Sequence, residues 1–178
     1  MSRYSGQFAP ETNLGEGHMK TRWIVTLAIV AVSAFLTAAY AAAADVVVRS
    51  TKGEFGEVKD RVLHAIENRG LVLNYTARIG AMLERTGKDI GAARRIYGDA
   101  EMLEFCSARV SRDTMEADPR NIVFCPYSIA IYTLPKEKDK VYIAYRRLGA
   151  SGSEQSVKSL RAVERLVADI VAEALRTR

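Results

Sequence analysis

The sequence predicts an α+β domain in which an antiparallel sheet packs against helices. Short stretches rich in β-branched or alternating apolar residues are typical of strands, and two longer stretches carry apolar residues at helical spacing. The strands cluster in the middle of the chain, in the order strand, helix, strand, short helix, several strands, helix. This order lacks the regular strand-helix alternation of a doubly wound sheet and therefore favours an antiparallel sheet with helices on one face.

The first half of the domain contains two predicted strand-helix pairs. Residues 44–50 contain three consecutive valines and read as a strand, and residues 71–79 alternate apolar and polar side chains as a second strand. A helix is predicted over 54–68, with Gly70 in the left-handed conformation after its end. A short helix should begin at Gly80 and end at Thr86 or Ile90. The apolar face of the first helix consists of Phe55, Val58, Val62, Ala65 and Ile66.

The second half is predicted to form the centre of the sheet and a long helix. Strands are expected over 101–111 and 121–134, joined by the polar segment 112–120, and the strand 141–147 should close a hairpin with its predecessor. A capping box over 151–154 precedes the final helix. The apolar face of that helix contains Val157, Leu160, Val163, Leu166, Val167, Ile170, Val171 and Leu175.

An apparent export signal precedes this domain. Residues 19–44 contain a basic start, a strongly apolar stretch and a run of small residues, which together are typical of a secretory signal peptide. We expect cleavage after Ala44, which would leave 45–178 as a single α+β domain. Residues 1–18 are polar and lack periodicity, so they represent either a mis-assigned start, with translation beginning at Met19, or an extended leader.

The alternative to cleavage is a membrane anchor. The apolar run can be extended over residues 23–44, which is long enough to span a bilayer. Its second half is mostly Ala and Thr, however, and its strongly apolar part has only the length of a signal-peptide core. We therefore expect a periplasmic protein, with inner-membrane anchoring as the alternative.

Composition narrows the range of partners. The chain has 26 Lys and Arg against 21 Asp and Glu, a formal net charge of +5. An exported domain meets little nucleic acid, so this modest excess predicts a solvated basic surface rather than a nucleic-acid interface. The expected partner is a small ligand or a periplasmic protein, and membrane contact is expected only if the leader stays uncleaved.

Several segments resemble a known bacterial family, the one named domain of unknown function 302. They are the stretch 70–73, the Phe124-Cys125-Pro126 strand, the following 129–132 stretch and its partner 141–145, and the resemblance covers about residues 52–148. Phe124 before the cysteine and Pro126 after it look like an exported branch with a second cysteine. The resemblance implies a TATA-binding-protein-like sheet wrapped on a helix. The family has no established activity, so the resemblance supplies no catalytic residues.

Cys106 and Cys125 form the one chemically suggestive pair. If the two central strands form a symmetric hairpin, these residues face each other, with Val110 facing Asn121. In an oxidising compartment a structural disulfide, or a pair of buried thiols, is the simplest interpretation. A strained, redox-labile bond is a second interpretation. A soft-metal site that binds Cu(I) through both cysteines and Met102 is a third. A Cys-Pro dipeptide also occurs in some haem-binding segments, which leaves haem open as well.

No catalytic site can be assembled from the sequence. His64 is the one histidine after the leader, and helical spacing turns it away from the apolar face towards solvent. Four tyrosines on adjacent predicted strands could line one sheet face, where packing is their usual role: Tyr127, Tyr132, Tyr142 and Tyr145. With no nucleophile-base pair in view, the expected function is a small exported binding or accessory protein. The alternative is a thiol-redox, soft-metal or haem-handling protein.

Overall fold

The computed structural model describes residues 45–92, 94–149 and 152–176, so the predicted leader lies outside the described residues. In these ranges the secondary structure elements are β1 (Val46–Lys52), α1 (Phe55–Glu67), β2 (Val72–Ala77), α2 (Ile79–Asp89), β3 (Ala100–Cys106), α3 (Ala108–Ala117), a 3-10 helix (Pro119–Phe124), β4 (Tyr127–Thr133), β5 (Lys140–Arg146) and α4 (Glu154–Ala174).

The five strands form one antiparallel sheet in the order β1-β5-β4-β3-β2. The central β3–β4 ladder pairs Leu103 with Ile129, and the β4–β5 ladder pairs Ile131 with Ile143. Because side chains alternate across a strand, these four residues lie on the same face. The predicted α+β class, with its antiparallel sheet and helices, is confirmed.

The core lies between that face and the two longest helices. The strand residues Leu103, Phe105, Ile129, Ile131 and Ile143 are fully buried. Against them pack the apolar stripes of α1 and α4, whose most buried members are Val58, Val62, Ile66, Leu160, Val163 and Ile170. Burial of these large aliphatic side chains is the main source of the fold's stability.

The ends of both long helices follow from local sequence. After α1, Gly70 adopts φ 65° and its N–H donates to the Glu67 carbonyl. This is the left-handed conformation that was predicted for the glycine after the helix end. At the start of α4 the Ser153 hydroxyl accepts a hydrogen bond from the Ser156 N–H. The N-cap is thus the second serine of the predicted capping box, with Glu154 in the first turn.

The predicted strand 101–111 is correct up to Cys106 and wrong beyond it, where the sequence was read as strand and polar connection. β3 ends at Cys106, and α3 follows immediately, with the Ser107 hydroxyl accepting from the Val110 N–H as N-cap. The segment is a helix because a capping serine precedes a run of residues of adequate helix propensity. It contains Thr114 as its one buried residue and therefore lacks an apolar stripe in its sequence.

The beginning of the predicted 121–134 strand was also wrong. Residues Pro119–Phe124 form a 3-10 helix, in which Pro119 occupies the start and the Asp118 carboxylate caps the Arg120 N–H. The apolar residues that suggested a strand, Ile122 and Val123, are 60% and 72% exposed. Asn121 is buried instead, and its side-chain amide donates to the Thr114 carbonyl and to Ser156 Oγ. These bonds hold the 3-10 helix against α3 and α4.

Candidate functional site

Cys106 and Cys125 lie close together, as predicted, but by a different route. Their Sγ atoms are 2.9 Å apart. Cys106 ends β3, whereas Cys125 follows the 3-10 helix and precedes β4. The ladder pairs Phe105 with Tyr127, so the two cysteines are not the facing members of a symmetric hairpin. Both are half-buried free thiols in this structure, and a disulfide between them stays a prediction.

The surroundings of Cys106 favour its neutral thiol. Burial, together with the adjacent Cys125 sulfur, raises the pKa of Cys106 from 9.0 to about 11. Ser111 Oγ lies 3.7 Å from Cys125 Sγ and 3.0 Å from the Tyr127 hydroxyl. Burial raises the pKa of Tyr127 as well. At neutral pH the reduced Cys106 is therefore held as a thiol, which is a poor nucleophile and a poor metal ligand.

The structure does not bring Met102 to the two sulfurs. Met102 lies four residues before Cys106 on β3, which corresponds to about 13 Å along a strand. A three-sulfur Cu(I) site of the kind predicted would need a large rearrangement of the sheet. In the parts of the chain that the structure describes, no group of three or more His, Cys, Asp or Glu residues could hold a metal ion.

Haem binding at the Cys-Pro dipeptide stays a prediction. A cavity of about 30 Å³ adjoins Pro126 and Tyr127, and Cys125 itself is half-buried.

The predicted row of tyrosines is divided between the two faces of the sheet. Tyr127 is buried on the helix side against Phe105, and Tyr145 packs against the same core. Tyr132 and Tyr142 stack on the opposite face, with ring centroids 5.0 Å apart. The prediction of one shared face failed because strict alternation places odd-numbered residues of β4 and β5 inward and even-numbered ones outward. His64 is exposed on α1.

A further candidate site is a cleft between α2 and the segment that follows it. We call this the α2 cleft, and its volume is about 580 Å³. Its lining includes Gly80, Leu83, Glu84, Lys88, Ile90, Arg94, Arg95, Ile96 and Tyr97. A cleft of this size is within the usual range for small-molecule sites.

Backbone contacts fix both walls of the α2 cleft to the sheet. Gly80 brings α2 so close to β3 that a Cβ atom at this position would lie 3.0 Å from the Ala100 nitrogen. On the other wall, the Gly98 N–H donates to the Thr133 carbonyl, and Thr133 Oγ1 accepts from the Asp99 N–H. Tyr97 packs edge-on against Tyr132 at 5.4 Å between ring centroids. The cleft is thus anchored at the edge formed by the ends of β3 and β4.

Apolar and cationic groups share the lining of the α2 cleft. Ile90 and Ile96 are 78% and 47% exposed within this lining. Lys88 and Arg94 are exposed charges in the same lining, and Arg95 donates to the Gly98 carbonyl at 2.8 Å. With Glu84 as the one carboxylate in the described lining, the local balance is cationic.

Sequence reasoning missed the α2 cleft because it treated the residues after α2 as a plain loop. A signal was present: residues 90–97 contain two isoleucines and a tyrosine beside one glycine, two alanines and two arginines. Several apolar residues grouped in one connection can mark a binding surface. Their close approach to α2 could not be read from the spacing, since it depends on Gly80 and Thr133.

The sheet, its helices and the α2 cleft define a small α+β domain with an open cleft. Comparison with known proteins identifies its family. The family model described as Domain of unknown function DUF302 matches residues 46–176. The chain therefore belongs to this family.

A solved structure of the same family has the same fold. The crystal structure of the uncharacterized conserved protein DUF302 from Bacillus stearothermophilus superposes with a TM-score of 0.61 at 12% sequence identity. The match covers 74% of this chain and 98% of that one. No curated protein matches the chain significantly. Within the described residues, no helix has the length and apolarity needed to cross a membrane.

Proposed function

We propose that this chain is an exported, periplasmic binding protein whose small ligand occupies the α2 cleft. The observation that carries the proposal is the combination of a volume of about 580 Å³ with exposed aliphatic side chains in its lining. Exposed large apolar groups that converge on one concavity are a typical sign of a binding site. The leader-like residues 19–44 supply the argument for export.

The lining favours an amphiphilic organic anion as ligand. Leu83, Ile90 and Ile96 offer apolar contact, and Tyr97 adds an aromatic ring. Lys88 and the arginines at the rim can attract a carboxylate or sulfonate. A purely polar anion would gain nothing from the aliphatic wall, and a neutral apolar molecule would gain nothing from the cations.

A pair of fluorescent probes tests this proposal. 1-Anilinonaphthalene-8-sulfonate and N-phenyl-1-naphthylamine share the same ring system, and only the first carries an anionic group. We expect the sulfonate to bind more tightly than the neutral amine in a fluorescence titration, with an advantage that decreases as salt concentration rises. Equal affinities, or a preference for the neutral amine, would contradict the assignment of an anionic ligand.

Single variants locate the binding event. Ile96→Glu places a carboxylate on the aliphatic wall, and Arg94→Glu reverses a rim charge, so each should weaken sulfonate binding. Arg161→Glu makes the same charge change on the exposed side of α4 and serves as the matched control. If all three variants lose the same affinity, binding reflects net charge rather than the cleft.

Reversible dithiol chemistry is a second candidate function, favoured by the 2.9 Å separation of the Cys106 and Cys125 sulfurs. A redox titration of the thiols against glutathione distinguishes an exchanging pair from a structural bond. A potential near that of the glutathione pool supports exchange, whereas a potential below about −300 mV is typical of structural disulfides.

A further inference from the structure

The face of the sheet opposite α1 and α4 carries an uninterrupted apolar row across all five strands. The ladders align Ala77 with Met102, Met102 with Ala130, Ala130 with Ala144, and Ala144 with Val48. Small side chains occupy its centre, so this face is flat there. We call this side of the sheet the open face.

A second row on the open face lies next to the first and carries two opposite charges. Glu104 pairs with Ser128, and Ser128 lies two residues before Ala130, whereas Arg146 lies two residues after Ala144. The antiparallel register therefore places Glu104, Ser128 and Arg146 at one level across β3, β4 and β5. Within the described residues neither Glu104 nor Arg146 belongs to a salt bridge.

The flanks of these rows are exposed apolar residues on the two edge strands. Val46 and Val48 on β1 are 52% and 42% exposed, and Tyr75 on β2 is 61% exposed. A face of five strands of six or seven residues measures about 24 Å by about 23 Å, or about 550 Å² in projection. One end of it is covered, because Gly80 of α2 lies against Ala100, which is 8% exposed, and Tyr97 packs on Tyr132. The contact would therefore use the two rows and their flanks, and its area is below the about 800 Å² per partner of a standard interface.

We propose that the open face is a dimer interface whose occupant is the open face of a second copy of this chain. The open face is complementary to a second copy of itself. A two-fold axis between two facing sheets, close to the direction of β4, exchanges the positions of β3 and β5. Each Glu104 then faces the Arg146 of the other copy, and each Arg146 faces a Glu104.

The same axis matches side-chain sizes in the apolar row. Met102 of one copy faces Ala144 of the other, and Val48 faces Ala77, while Ala130 lies on the axis and faces itself. Large side chains thus meet small ones at every off-axis position of the row. Facing sheets pack about 10 Å apart with strands within about 30° of each other.

Charge reversal tests this interface in the processed protein purified from the expressing cell. Sedimentation equilibrium should show a dimer for the wild type. Glu104→Arg and Arg146→Glu each place like charges opposite one another, and each should weaken dimerisation by about 100-fold. The double variant carrying both changes restores opposite charges and should recover most of the dimer. Recovery is the decisive result, because a variant that merely misfolds would not be rescued by a second reversal.

One control variant and two contrary outcomes complete this test. Glu67→Arg makes the same charge change at an exposed position of α1 and should leave the dimer unchanged. A wild-type protein that is monomeric at about 100 μM would overturn the proposal. A dimer that is insensitive to both single reversals would overturn it as well. Failure here leaves the α2 cleft proposal intact, because probe binding is measured separately.

Discussion

Cys106 and Cys125 hold their sulfur atoms 2.9 Å apart across a sequence separation of 19 residues that includes α3 and a 3-10 helix. We predict that this pair forms a disulfide bond in an oxidising compartment. Closing a loop of this length should raise the free energy of unfolding by about 2–4 kcal/mol. Urea unfolding of the oxidised and reduced protein measures the difference directly.

The double variant Cys106→Ser with Cys125→Ser is the control for that measurement. Its unfolding should not respond to reductant. Mass spectrometry of the native protein should show the loss of two hydrogen atoms relative to the reduced chain. Two free thiols in protein isolated from an oxidising compartment would show this prediction to be wrong.

The reduced protein should lose stability in alkaline solution. Cys106 has a pKa of about 11 in the folded protein and an ordinary value of 9.0. Between these two values the folded state retains a proton that the unfolded chain releases. The free energy of unfolding therefore falls as pH rises through this window and is unaffected below it. Urea titrations in reductant at a series of pH values measure the fall.

Two variants identify the side chains that are responsible for this pH dependence of the stability. Cys106→Ser should reduce the decline, because the group with the shifted pKa is gone. The pKa of Tyr127 is raised too, so Tyr127→Phe should remove a separate part. A decline that neither substitution changes would have another origin, and the account of the thiol environment would be incorrect.

The docking of α4 should depend on its fully buried positions. Ile170 is fully buried, whereas Leu166, which helical spacing places on the same apolar face, is only half-buried. Ile170→Ala should cost about 2–5 kcal/mol in the free energy of unfolding. Leu166→Ala should cost clearly less, since part of the side chain is already in water. Equal costs would mean that the helix is rotated relative to this structure.

Export is tested by the mass of the mature chain. Cleavage after Ala44 gives a protein that begins at Asp45. Intact mass spectrometry of protein isolated from its natural host should find that species in the periplasmic fraction. A membrane-bound species that retains Trp23 would instead establish the anchor.

The sequence allowed the α+β class, all five strands and the two long helices to be predicted, because each carries its burial pattern in its own residues. Val58, Val62 and Ile66 repeat at helical spacing, and the central strands contain runs of aliphatic residues. Elements without such a pattern were missed. α3 buries only Thr114 and is otherwise polar. It begins at a capping serine and packs on α4.

The candidate sites were predicted less completely. The closeness of the two cysteines was expected, but from a symmetric hairpin that does not form. The α2 cleft depends on two backbone approaches, of Gly80 to Ala100 and of Gly98 to Thr133, which link segments far apart in sequence. Local patterns do not encode contacts of this kind. The exposed Ile90 and Ile96 were nevertheless visible as apolar residues in a polar connection.

The most direct test of the central proposal is to map where an amphiphilic anion binds. A titration of the isotope-labelled protein with 1-anilinonaphthalene-8-sulfonate, followed by backbone amide chemical shifts, reports the location residue by residue. We predict that the largest changes occur in the α2 cleft, at Leu83, Ile90, Ile96 and Tyr97. Changes confined to the open face around Met102, Ala130 and Ala144, with none in the cleft, would contradict it.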